Sequence, residues 1–148
     1  PAFVAARADE IVFLGFCSKA DAGVLRDALG RKWRNSAWQS DPEGVGALAE
    51  NASAAPARLA LTGTPFQHRV WQKLLDIPPG QVASYKQLAD ALGSAPRAIG
   101  AAVGANPVSL LVPCHRVLAA DRNLYGYRWG LEVKARILAA EGAAFRGA

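Results

Sequence analysis

The chain has 148 residues but no methionine, only two cysteines and two histidines, and no apolar run near the roughly 20 residues that cross a bilayer. Cys17 and Cys114 lie far apart and neither has a CxxC partner, which excludes a disulfide framework and a zinc knuckle. His68 and His115 cannot complete a four-ligand set with them, so neither a metal nor any other cofactor is expected. No basic, apolar and small-residue sequence opens the chain as a signal peptide would; the expectation is a soluble cytoplasmic monomer with no membrane contact. The missing methionine leaves two accounts of Pro1: it follows a removed initiator, or it marks a fragment of a longer protein.

What is present suits one ordinary domain or two small ones, since 51% of the residues are apolar and no repeat occurs. The net charge of +5 is unevenly placed. Residues 1–63 carry seven Lys/Arg against seven Asp/Glu, whereas residues 64–148 carry ten against five. A basic balance confined to one segment fits a phosphate-bearing partner, and fits a solubilising surface equally well.

EIVFLGFCS (10–18) is a continuous apolar run that predicts a strand buried on both faces, with Cys17 as a core thiol. DAGVLRDALGRKW (21–33) spaces Val24, Leu25, Ala28 and Leu29 along one face of a helix. Residues 40–57, rich in Gly, Pro, Ser and Ala, predict a loop with one short helix leading to a linker. A small αβ domain is therefore placed at 1–60 and a second domain at 64–148.

The second domain is punctuated more sharply. Thr64, Pro65 and Gln67 read as an N-cap, a first-turn proline and a capping-box glutamine. They predict a helix from 65 to about 76 with Phe66, Val70, Trp71, Leu74 and Leu75 on one face. Ser84 and Gln87 repeat the box for SYKQLADALG, and Gly93 closes that helix. GSAP then turns the chain into RAIGAAVGAN, a third helix of small residues, so a helix-turn-helix is predicted. Gly100 and Gly104 each weaken a helix by up to about 1 kcal/mol relative to alanine. Something must come close to this face: another helix packed tightly, or a nucleic-acid groove with Arg97 as the one long reach at its start.

LLVPCHRVL (110–118) places Cys114 after a buried-looking apolar run and a proline that fixes the backbone. A thiolate is the reactive form, and a base or positive charge must lower its ordinary pKa of about 8.5. Adjacent side chains seldom face one another, so His115 would act through a bend or a bridging water. An orienting carboxylate completes a triad-like relay, for which Asp76, Asp90, Asp121, Glu132 and Glu141 are all available. The same pair also fits a core thiol with a polar neighbour.

PCHRV, preceded by NPVSLLV and followed by GYRWG, closely resembles the signature of the O6-alkylguanine-DNA alkyltransferases. The resemblance continues through TPFQHRVWQKLLDIPPGQVASYKQLADALG, RAIGAAVGANP and EVKARILAAEG, and so spans residues 64–148. Residues 1–63 resemble the family's variable amino-terminal portion only loosely, and GYRWG is most similar to the carboxy-terminal module of Ada-type proteins or to a stand-alone bacterial relative. The resemblance implies an α/β (α+β) fold: a ribonuclease H-like αβ domain followed by a helical, winged-helix-like domain that binds double-stranded DNA. It implies transfer of the alkyl group of O6-alkylguanine, and of O4-alkylthymine, to Cys114, once per molecule.

By the same resemblance His115 is the water-bridged base, Glu141 orients it, and Asn106 is a hinge between recognition helix and active-site segment. Tyr85 is implied to rotate the target phosphate and help protonate the departing guanine, and Arg97 to fill the gap left by a flipped nucleotide. Lys86, Gln67 and Ser94 fall on the DNA-binding surface. Val117, Tyr127, Arg128 and Lys134 fall around the base pocket, Lys134 behind the active-site loop. Two departures stand out: the stretch from Tyr85 to Arg97 is shorter than the family's, and Arg122 and Tyr125 are expected to narrow the pocket. The rival readings are a DNA-binding regulator or damage-flagging module without transfer activity, the latter lacking the cysteine, and a Cys-His hydrolase, which needs an oxyanion hole.

Overall fold

The computed structural model describes residues 2–8, 10–18, 20–34, 37 and 58–147. They form a mixed α/β chain that divides into two compact units, Pro1–Ala60 and Leu61–Ala148. The loop, short helix and linker expected at 40–57 lie outside the described residues.

In the first unit β1 (Ala2–Arg7) and β2 (Glu10–Phe16) pair as an antiparallel hairpin, and Leu59 adds to β2 through a parallel bridge to Ile11. Ile11, Phe13 and Leu14 are buried, and Phe13 meets Phe3 edge-on with ring centroids 6.3 Å apart. Cys17 corrects an expectation: the strand ends at Phe16, the chain is already turning into Ser18–Asp21, and the thiol is half-buried. The helix α1 (Ala22–Lys32) forms where its spacing placed it, but Leu29 alone of its described side chains is buried and Val24 is 68% exposed. The helix meets its core only near its carboxy-terminal end.

In the second unit the helix boundaries follow their caps. For α2 (Pro65–Leu75), Thr64 Oγ1 accepts from the Gln67 N–H at 3.2 Å and Gln67 Oε1 accepts from the Thr64 N–H at 2.8 Å. Gly63 lets the chain enter α2 across the Trp71 ring, since a Cβ there would lie 2.5 Å from the indole. Val70, Trp71 and Leu74 are buried, while Leu75 is 46% exposed, because one residue beyond Leu74 turns it about 100° away. Next, β3 (Ala83–Ser84) runs into α3 (Tyr85–Leu92), which starts on the reciprocal Ser84 and Gln87 bonds. Gly93 ends α3 at φ 61°, a left-handed conformation that glycine adopts without Cβ strain. The Ser94 N–H returns to Ala89 O at 2.9 Å, so only Gly93, Ser94 and Ala95 separate α3 from α4 (Pro96–Gly104). Trp71 Nε1 donates to Ala102 O at 2.8 Å and pins α2 to α4.

The remaining elements hold the turn that carries Cys114. β4 (Val117–Leu118) pairs in parallel with β3, and α5 (Leu131–Ala140) closes over it through Leu118, Leu124, Ala135, Leu138 and Ala143. Cys114–Arg116 form a single 3-10 turn immediately before β4. No helix among the described residues is long and apolar enough to cross a membrane.

Candidate active site

One buried side chain ties the end of α4 to the segment before Cys114. Asn106, 2% exposed, donates from Nδ2 to Val112 O at 2.8 Å, and its Oδ1 accepts from the Val108 N–H at 3.0 Å. Between those anchors the chain swings outward at Leu110, which takes φ 73° and is 39% exposed. The LLV run is therefore not uniformly buried as its composition suggested; Val112 alone of the three is enclosed.

Cys114 is buried at the base of an open cleft of about 50 Å³, lined also by Tyr85, Gly100, Val103, Gly104, Asn106, Ser109, Gly126, Tyr127, Arg128 and Trp129. Its Sγ lies 3.9 Å from Ser109 Oγ, which in turn accepts from Trp129 Nε1 at 2.6 Å. Burial pushes the thiol above its ordinary pKa; the neighbouring polar side chains of Asn106, Ser109 and Tyr127 and the Lys134 charge oppose this without prevailing. The thiol is thus protonated at rest near neutral pH, and something must take its proton.

His115 is fully buried, with Nε2 at 3.1 Å from Glu141 Oε1. Burial lowers its pKa, the Glu141 hydrogen bond and charge pulling the other way. An ionised Glu141 can only accept, so Nε2 carries the hydrogen of the neutral ring and Nδ1 is left as an acceptor. Nδ1 is buried with no hydrogen-bond partner among the described residues. Glu141 is itself clamped by Arg116, whose Nε reaches Oε2 at 3.0 Å, whose Nη2 reaches Oε1 at 2.7 Å and whose Nη1 donates to Ile77 O. Burial alone would raise the Glu141 pKa, but the bonds from Arg116 and His115 outweigh it and hold the carboxyl below its ordinary value. Of the five acids that residue spacing alone left open, Glu141, the one the resemblance implies, reaches His115.

Val117, expected around the pocket, and Lys134, expected around it and behind the active-site loop, both stand behind it. Val117 is fully buried and committed to pairing with Ala83, while Lys134, also fully buried, donates from Nζ to Val117 O at 2.8 Å and to Tyr125 O at 3.1 Å. Burial pulls the Lys134 pKa down to about 8, against the Cys114 charge that favours the ammonium. Arg122 and Tyr125 are exposed and neither lines the cleft, so the narrowing expected from them does not arise there. The wall is built by Tyr127, by Trp129 and by Arg128, whose guanidinium lies 5.0 Å from the Trp129 ring centroid.

The residues expected on a DNA surface lie outside the cleft, Tyr85 excepted. Tyr85 opens α3 at the cleft edge, and burial raises its hydroxyl pKa. Arg97, Ala101 and Gly104 are exposed along one side of α4. A Cβ on Gly104 would meet nothing within 4 Å and one on Gly100 only the Tyr85 ring at 3.9 Å, so tight helix packing does not account for these glycines. Lys86 is paired with Asp90 at 2.8 Å, Gln67 spends its Oε1 on the α2 cap, and Ser94 is half-buried in the turn. Three site residues went unread in the sequence: Ser109, Arg116 and Trp129. Ser109 is the only hydroxyl in NPVSLLVPC, and Arg116 the only charge in the apolar surroundings of the cysteine, which were their available signals.

Residues 65–143 match the family model described as 6-O-methylguanine DNA methyltransferase, DNA binding domain. The chain belongs to this methyltransferase family. The match takes in Cys114, His115, Arg116 and Glu141. A Candida albicans methylated-DNA--protein-cysteine methyltransferase is 51% identical over 82 residues, covering 55% of this chain and 47% of that protein. The chain thus spans under half the length of that curated relative. Among methyltransferase structures, the Mycobacterium tuberculosis O6-methylguanine methyltransferase has a TM-score of 0.73 at 32% identity, covering 90% of this chain and 81% of that one. The M. tuberculosis OGT in complex with DNA has a TM-score of 0.65 at 31% identity, covering 94% of this chain and 84% of that one.

Proposed function

We propose that this chain reverses DNA alkylation directly, taking the alkyl group from O6-alkylguanine, and by the same chemistry from O4-alkylthymine, onto Cys114. The observation that carries this reading is a buried thiol at the base of an open cleft, followed in the chain by a histidine held by an Arg-clamped glutamate. Neutral His115 takes the Cys114 proton at Nδ1 through a buried water, and Glu141 stabilises the resulting imidazolium. The thiolate attacks the alkyl carbon, the S–C bond forms as the C–O6 bond breaks, and guanine leaves with the electron pair. The Tyr85 hydroxyl, protonated across the neutral range, supplies a proton to the departing base. A thioether has no leaving group that water can displace, so each molecule acts once.

The target atom is buried in a duplex, and turning the nucleotide out costs a few kcal/mol. The bare side of α4 suits close approach to a groove, with α3 and α4 acting as the helix-turn-helix of a winged-helix-like domain and Arg97 replacing the extruded base. Lys86, Gln67 and Ser94 border that DNA face. Asn106 holds the recognition helix to the Cys114 segment, Tyr127 and Arg128 bound the base pocket, and Val117 and Lys134 support it from behind. Residues 64–148 form the DNA-binding and active-site domain and residues 1–60 the ribonuclease H-like αβ domain, in a protein acting as a monomer.

Incubation with a duplex carrying O6-methylguanine, followed by peptide mass spectrometry, tests the reading. One methyl on Cys114, and no more than one lesion repaired per molecule, is the expected result. Tight duplex binding with no added mass would indicate a flagging or regulatory module, and repeated turnover would indicate a hydrolase.

A further inference from the structure

Ser109 is 1% exposed and stands beside the reacting sulfur with its oxygen already engaged. Trp129 Nε1–H donates into Oγ at 2.6 Å, and Cys114 Sγ lies 3.9 Å from the same oxygen. An indole N–H can only donate, whereas a hydroxyl has one hydrogen and two lone pairs. The indole therefore occupies a lone pair and leaves the Ser109 hydrogen to be aimed at the sulfur or at the buried Tyr127 hydroxyl, which lines the same cleft and has no other partner among the described residues. While Cys114 is a thiol it can donate toward Oγ; once its proton has gone to His115, the sulfur is an anionic acceptor and the bond must reverse.

We propose that Ser109 is the built-in donor for the Cys114 thiolate and that Trp129, through its indole N–H, is the positioning residue that turns the hydroxyl toward sulfur. The proposal deepens the alkyl-transfer reading and rests on it. Only the Cys114 proton changes owner, passing to His115, and Ser109 keeps its own. Hydrogen bonds to a charged acceptor are about twice as strong as neutral ones. The contact therefore strengthens as the thiolate forms, which is the sign needed to offset the burial that disfavours the anion. The Arg128 guanidinium lies 5.0 Å from the Trp129 ring centroid, a cation–π contact that favours this indole orientation.

The test is the pH dependence of Cys114 modification by iodoacetamide, read by peptide mass spectrometry so that Cys17 is scored separately. Ser109→Ala should raise the midpoint by about one unit, a roughly tenfold smaller thiolate fraction at neutral pH. Trp129→Phe, which frees the hydroxyl to rotate, should give a smaller rise in the same direction, and Ser109→Thr should restore the parental midpoint. A Ser109→Ala protein titrating like the parent would overturn the donor role, and an unmoved midpoint in Trp129→Phe would overturn the positioning role. Should the alanine variant not fold, failure of the folded Ser109→Thr protein to keep the parental midpoint sinks the proposal instead. Iodoacetamide needs no DNA, so a parent that takes no methyl from duplex would reject the repair reading while leaving the midpoints to decide this one.

Discussion

Glu141 and Arg116 act on His115 with opposite signs, so replacing each should displace the pH dependence of transfer in opposite directions. In Glu141→Gln an oxygen remains near the present 3.1 Å contact but its charge is gone. That charge supports the imidazolium, and a carboxylate this close is worth about one to three pKa units. His115, already depressed by burial, falls further. A weaker base accepts the Cys114 proton less readily, and since general-base catalysis contributes about 10²–10⁴-fold, a partial loss of about ten- to a hundredfold in the plateau rate is expected. In Arg116→Gln the neighbouring positive charge that lowers His115 is removed and Glu141 acts on the ring undiminished. His115 then stays protonated to higher pH, so the acid limb of the profile moves up while the plateau is largely kept.

Both variants also break a nearly buried ion pair. Loss of one partner costs about 3–5 kcal/mol when burial is complete. Arg116 and Glu141 keep 12% and 15% side-chain exposure, which places the cost near the low end, so folding must be checked first. Single-turnover methyl transfer from an O6-methylguanine oligonucleotide, followed from about pH 5 to 9, spans the ordinary histidine range. Acid limbs moving in the same direction, or Glu141→Gln reacting at the parental rate throughout, would refute the relay.

Arg97→Ala should lower duplex affinity moderately, reduce the salt slope by no more than about one unit, and cut repair of paired O6-methylguanine far more than reaction with the free base. Equal losses toward both substrates would reject a stack-filling role. Gly93→Ala should lower stability by about 1 kcal/mol, seen as a reduced Tm, because φ 61° is left-handed while a Cβ there meets nothing within 4 Å. His115 and Glu141 have folded pKa values below their unfolded ones. Each adds stability that is present above its unfolded value, about 6.5 and 4.3, and lost as pH falls through its folded value. Denaturant midpoints should therefore decline on acidification below about pH 6.5, and His115→Asn should flatten the first part of that decline. Lys134→Met removes a charge that lowers the Cys114 pKa, so the iodoacetamide midpoint should rise; a fall would contradict the assignment of that charge.

The helix starts were legible because their signals are local. Thr64 with Gln67, and Ser84 with Gln87, bond across three positions, and those bonds form wherever the helix is placed. Gly93 likewise stops α3 through its own backbone. Periodicity was a weaker guide to burial. It grouped Val24 with Leu29 and Leu75 with Leu74, but which part of a face is covered depends on what packs there, and both Val24 and Leu75 face outward. The run into Cys17 failed for a similar reason, since a strand's end is set by its pairing partner and not by its composition.

By itself the sequence determined the Cys114–His115 pair, the two capped helices, the glycine turn between α3 and α4, and the basic balance of the second part. All but the last depend on residues within a few positions of one another, and the charge balance is a sum that needs no fold. Only the tertiary structure decided what surrounds the sulfur. Glu141 reaches His115 across 26 positions, Trp129 reaches Ser109 across 20, and Arg116 reaches Ile77 across 39. The first pairing exists because Leu138 and Ala135 seat α5 on Leu118, which brings Glu141 at the end of that helix to the back of the Cys114 turn. Residue spacing left five carboxylates open and only the family resemblance singled out Glu141; the contact itself is made by core packing, whose free energy is spread over many apolar contacts and leaves no local mark at the acid it selects.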